Sequence, residues 1–117
     1  MNITCTIGQK ETPAWVAEFL DGTRQGAVHF AFGQRINHVY PGDYLYLIHR
    51  GKVQGRLRIT EVVEDAELTL PAGNEHEPIE AKTVVWVHCP GEPVGHRDIP
   101  RDSHRGFRYD EVSEWGS

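Results

Sequence analysis

The sequence predicts an α+β fold: a small, mostly antiparallel sheet or β-barrel with one or two short helices. Three observations carry this. Several short runs alternate apolar and polar residues with the period of two that half-buried strands require. One stretch, after Thr12-Pro13, has helical spacing instead. Short turns rich in Gly and Pro separate most of the runs.

Asn2 to Ile7 is the first strand, with Ile3, Cys5 and Ile7 on one side and Thr4 and Thr6 on the other. Thr12 is an N-cap, and Pro13 sits at the first helical position, where its missing N–H costs nothing. Trp15, Val16, Phe19 and Leu20 make one apolar stripe, and Asp21-Gly22 ends the helix. Gly26 to Gly33 is extended, with His29 among apolar neighbours. Ile36 to Val39 precedes the turn Pro41-Gly42-Asp43. Asp43 to Arg50 is nearly continuously apolar from Tyr44 to Ile48, as a central strand would be. His49-Arg50-Gly51-Lys52 is a hairpin turn, and Val53 to Val63 returns with Val53, Leu57, Ile59 and Val63 inward and Arg56 and Arg58 outward. Glu64 to Ala81 is read as turns and a long acidic loop holding a short strand at Glu67 to Leu70. Lys82 to Cys89 is a β-branched strand centred on Trp86. Pro90 to Arg105 reads as loop, Gly106 to Tyr109 as a last short strand, and the remainder as a frayed end.

The chain has 117 residues, of one ordinary domain's length, and no linker or repeat divides it, so residues 1–117 are read as a single domain. The formal net charge of −5 disfavours a generic nucleic-acid coat or a basic membrane-surface protein. The charge is distributed in blocks, however. His49 to Arg58 carries Arg50, Lys52, Arg56 and Arg58 and no acid, whereas Ile59 to Ala81 carries seven acids and no base. Arg97, Arg101, Arg105 and Arg108 form a second basic group. No apolar run reaches the roughly 18–20 residues of a membrane span, and the first ten residues do not resemble a signal peptide. With two cysteines, too few for a disulfide framework, the expected location is cytoplasmic.

Residues 40–59, YPGDYLYLIHRGKVQGRLRI, join a Gly-Asp turn, an apolar strand, a glycine turn and a strand with an internal glycine. This pattern, centred on residues 40–63 through Gly42-Asp43, Gly51, Gly55 and Val62, resembles the central hairpin of the PUA-like superfamily, including its ASCH and EVE branches. The opening strand and Trp15-bearing helix look like the start of such domains. The closing Arg105-Gly106-Phe107-Arg108-Tyr109 is similar to an aromatic-rich terminal segment of some members. The resemblance implies a PUA-like barrel that recognises RNA or a modified base in a cleft. Some ASCH-type members resemble small hydrolases of modified nucleosides, which implies a lysine, a threonine and a glutamate in that cleft. Lys10, Thr12 and Glu61 are candidates by location.

A free base needs an aromatic face, hydrogen-bonding groups and nearby cations for phosphate. The aromatic supply is Trp15, Trp86, Phe107 and Tyr109, and the cations are Arg50, Lys52, Arg56, Arg58, Arg105 and Arg108. The expected ligand site comprises Trp15, Arg50, Lys52, Arg56, Arg58, Arg105, Phe107, Arg108 and Tyr109. His88 and Cys89 are strand neighbours that point to opposite faces, so they are poorly placed to share a metal. Nothing local marks Cys5 or Cys89 as an activated thiol. The sequence therefore favours a non-catalytic domain that binds RNA, DNA or a modified nucleotide, without cofactor or metal and with no catalytic residue assigned. The alternatives are the ASCH-type amidohydrolase and a protein-interaction module acting through the acidic segment 61–80.

Overall fold

A computed structural model describes residues 1–64 and 82–116. In chain order these form β1 (Ile3–Thr6), α1 (Pro13–Ala17), β2 (Gly26–Phe32), β3 (Tyr44–His49), β4 (Lys52–Glu64), β5 (Thr83–Pro93), β6 (Phe107–Tyr109) and a 3-10 turn, Ser113–Gly116. The acidic segment 65–80 and the strand expected at Glu67 to Leu70 lie outside the described residues.

The strands make one sheet in the order β2-β5-β4-β3-β1-β6. β1 runs parallel to β3, and the other pairings are antiparallel. The mostly antiparallel α+β expectation holds, but the barrel does not close: β2 and β6 are the two edges among the described residues. β6 has three residues, and the chain facing it after β2 is irregular, so no ladder can form between them. Side chains draw the edges together instead. Phe32 meets Phe107 edge-to-face at 6.1 Å. The Tyr109 hydroxyl donates to the Asn37 carbonyl at 2.7 Å and accepts from the Asn37 N–H at 3.0 Å.

The sheet has two differently covered faces. Its front carries the main core, where Ile3, Cys5, Leu45, Leu47, Leu57, Ile59, Val85 and Val87 pack beneath α1 and its extension through Val16, Phe19 and Leu20. Thr12 starts α1 as expected, accepting the Trp15 N–H at 3.1 Å. The back carries a smaller cluster of Tyr46, Ile48, Val53, Ile99, Val112 and Trp115. β3 therefore buries side chains on both faces, which is why its sequence reads as continuously apolar.

The β3–β4 hairpin turns through Arg50 and Gly51, both at positive φ (54° and 81°), the backbone of a primed two-residue turn. Asp43 holds the preceding turn with its carboxylate, which accepts the Tyr40 N–H at 2.8 Å and the amino terminus of Met1 at 2.9 Å. Gly55 permits a close approach: a Cβ there would stand 2.6 Å from the Glu92 carbonyl and from Leu20.

Two features depart from expectation. β5 continues beyond Cys89 to Pro93, because an irregularity between Arg56 and Arg58 absorbs Pro90 and Gly91 and spares the ladder the missing proline N–H. The tail is docked rather than frayed: Trp115 and Val112 pack on the back face, and Arg101 pairs with Asp110 at 2.7 Å and also with Glu114. No helix among the described residues is long and apolar enough to cross a membrane.

Candidate functional site

Leu57 and Ile59 fill the front core, so the period of two sends Arg56 and Arg58 to the back. Register then fixes their neighbours. Arg56 lies between Tyr46 of β3 and Glu92 of β5, and Arg58 between Tyr44 and His88. Cross-strand partners on one face are roughly 4.5–5.5 Å apart at Cβ, so each row is a continuous strip of side chains.

Arg56 is the strut of this region. Its guanidinium carbon lies 3.9 Å from the centroid of the Tyr44 ring and 4.8 Å from that of Trp115. It donates to the Tyr46 hydroxyl at 3.3 Å and to both Glu92 carboxylate oxygens at 3.2 and 3.1 Å. Burial alone would lower its pKa, but the bonds to Tyr46 and Glu92 outweigh burial and hold it raised. Arg97 continues the stack, 4.7 Å from the Trp115 ring, and its Nε donates to the Trp115 carbonyl at 2.8 Å. The order Tyr44, Arg56, Trp115, Arg97 alternates rings with cations, which the ring quadrupoles favour.

Beside this stack opens a hollow of about 210 Å³, lined by Tyr44, Arg56, Arg58, His88, Pro90, Gly91 and Glu92. Arg56 stacks on one face of the Tyr44 ring and lines the hollow with it, while Arg58 and His88 are exposed at the rim. Arg58 has no carboxylate partner among the described residues, in contrast to Arg56. Gly91 lets β5 approach β4 closely at the base of the hollow, since a Cβ there would collide with the Arg56 carbonyl and the Leu57 side chain. The Cys89–Pro90 peptide beneath it is cis.

Of the nine residues expected to form a ligand site, the hollow gathers Arg56 and Arg58. Arg56 is committed to Glu92 and serves as a positioning residue rather than a free phosphate contact. Trp15 belongs to the front, packed edge-to-face on Phe19 at 5.0 Å beneath Arg24. Phe107 and Tyr109 also face the front, paired with Cys5 and Ile3, and close the edge gap. Arg108 is on the back in the row of Thr4 and Tyr46, but three strands from Arg56. Arg105 is exposed ahead of β6. Arg50 and Lys52 stand at the hairpin end, where Lys52 pairs with Asp98 at 2.9 Å. The nine therefore do not converge.

The hydrolase candidates do not meet either. Thr12 caps α1 on the front, whereas Glu61 is registered with Trp86 on the back. Burial pushes the Cys5 thiol up to about 12 and also raises Cys89, so both free thiols are protonated near neutral pH. A second hollow, of about 170 Å³, lies beside α1 between Pro13, Val16, Leu20 and Pro93 and has no cation in its lining.

Sequence reasoning missed Tyr44, His88 and Trp115 as site residues. The parity of β5 could have found His88, since Val87 and Cys89 are inward. The same parity in β3 places Tyr44 with Tyr46 on the back. Trp115 had no such signal in so short a terminal segment. Set against protein-family models, curated proteins and solved structures, the chain finds no match.

Proposed function

We propose that this chain is a PUA-like domain that binds a nucleotide or nucleic acid without catalysis, and that the Tyr44–Arg58–His88 hollow is its site. One observation carries the reading: an aromatic ring stacked with a cation borders an open hollow whose rim holds an arginine with no carboxylate partner among the described residues. At about 210 Å³ the hollow falls below the roughly 300–1,000 Å³ of drug-sized sites and suits one base or phosphate group. Tyr44 offers a stacking face, Arg58 a bidentate phosphate donor, and His88 a ring that donates or accepts. The PUA-like hairpin at residues 40–63 supports the family part of the reading. The open sheet is a curled, unclosed relative of the expected barrel. A cytoplasmic location accords with two free, buried thiols.

The test is fluorescence anisotropy with RNA, single-stranded DNA and duplex DNA at low salt, with and without modified bases. Binding is expected to weaken as salt rises, because phosphate contacts release counterions. Arg58→Ala is expected to lower affinity at least severalfold. No binding by any probe, or binding indifferent to Arg58→Ala, overturns the reading.

A further inference from the structure

The back face does not end at the hollow. On β5, two residues from His88, Trp86 faces the same side, registered with His29 of β2 and Glu61 of β4. Its ring lies 5.0 Å from that of His29 and is only partly buried. Glu61 is exposed beside it. The tail that covers the Tyr46 end of this face packs on Tyr46, Ile48 and Val53, and Trp86 is not among the residues it covers.

We propose that the open half of the back face is a two-platform site for single-stranded nucleic acid, with one base on Tyr44, a second on Trp86, and a phosphate held between them by Arg58 and His88. This rests on the nucleotide-binding reading above and assigns its substrate class. Geometry carries it. Tyr44 and Trp86 stand two strands apart and two residues out of row, a diagonal of roughly 12 Å from the spacings of antiparallel sheets. Stacked bases of a duplex rise only about 3.4 Å per step, so bases on both platforms cannot be stacked neighbours. They must come from an unstacked strand whose ring faces are free, which a duplex does not present.

The charges fix the order along the strip. Arg58 and His88 occupy the row of Tyr44, one row from Trp86. Glu61 repels phosphate but accepts hydrogen bonds from a base's amino group. Trp86 with Glu61 is therefore a place for a base, and Arg58 with His88 a place for a phosphate.

The test uses fluorescein-labelled octanucleotides, RNA and DNA, single-stranded and annealed to their complements, with a nucleoside 5′-monophosphate as competitor. The single strand is expected to bind at least tenfold more tightly than the mononucleotide and more tightly than the duplex. Trp86→Ala is expected to weaken the octanucleotide by roughly 5- to 100-fold, the range for losing one stacked base. An unchanged far-ultraviolet circular dichroism spectrum and melting temperature show that the variant is folded, and Trp86→Phe should restore most of the loss. An octanucleotide that binds Trp86→Ala as well as wild type, or a duplex that binds as tightly as the single strand, overturns the proposal. If the mononucleotide binds and the octanucleotide binds no better, the second platform falls and the nucleotide-binding reading stands. If no probe binds, both fall.

Discussion

Replacing Trp115 by alanine tests whether the docked tail organises the site. Trp115 is 5% exposed and meets Tyr46 edge-to-face at 5.6 Å, with Arg56 and Arg97 on its ring. Truncating a buried tryptophan costs roughly 3–5 kcal/mol. The two stacked guanidiniums each account for about 0.5–1 kcal/mol at a partly exposed site. The other residues of the Ser113–Gly116 turn are exposed, so the space left can open to water rather than persist as a sealed cavity, which favours the lower end of the range. The expected loss is about 3 kcal/mol, or a fall in Tm of roughly 12 °C at about 4 °C per kcal/mol for a domain of this size. Urea unfolding followed by far-ultraviolet circular dichroism measures this. Trp115→Phe keeps the contact with Tyr46 and should cost about 1 kcal/mol. Arg56 also loses one of its two rings in Trp115→Ala, so Tyr44 becomes less well fixed and nucleotide affinity should fall although no ligand contact is removed. A loss below about 1 kcal/mol would refute the docking of the tail and its bracing of Arg56.

Acid should undo the same tail. The Arg101 hydrogen bond holds Glu114 down from an ordinary 4.5 to about 2. Burial pushes Asp110 up, but Arg101 and the Val112 N–H outweigh it and keep it low. Depressed carboxylate pKa values stabilise the fold above their unfolded values, and that contribution is lost as pH falls through the folded ones. Tm should therefore drop between about pH 4.5 and pH 2, and Glu114→Gln should flatten part of that drop in melts run across this range. Gly91→Ala forces a Cβ into the Arg56 carbonyl and Leu57, so it should destabilise by about 1–3 kcal/mol in thermal melts and weaken nucleotide binding. Cys5 and Cys89 should resist iodoacetamide at neutral pH in the folded protein and both react after unfolding, as mass spectrometry would show; rapid modification of native Cys5 contradicts its burial.

The strands were readable because each carries a local period. Ile3-Thr4-Cys5-Thr6 and the Leu57-Arg58-Ile59 alternation give both the element and the side. Thr12-Pro13 announced its helix through capping chemistry, which is local as well. Register is not local. Which residue of β5 stands beside Arg58 depends on irregularities in β4–β5 pairing, so the row Tyr44–Arg58–His88 could not be read from spacing. A basic run also does not show where its counter-charges lie. Arg56 and Lys52 looked alike with Arg58 in the sequence, yet Glu92 and Asp98 engage the first two. Trp15 misled because its helical stripe is the same whether its ring faces a ligand or the core; packing against Phe19 settles its place.

The central claim is that ligand meets the back of the sheet beside Tyr44. Backbone amide chemical shifts, recorded while a nucleoside 5′-monophosphate is titrated into the full chain, test this most directly. Shifts are predicted to cluster at Tyr44, Arg58, His88 and Gly91 and to vanish in Arg58→Ala. Shifts confined to α1 and Trp15 on the front, or none at saturating nucleotide, would contradict it.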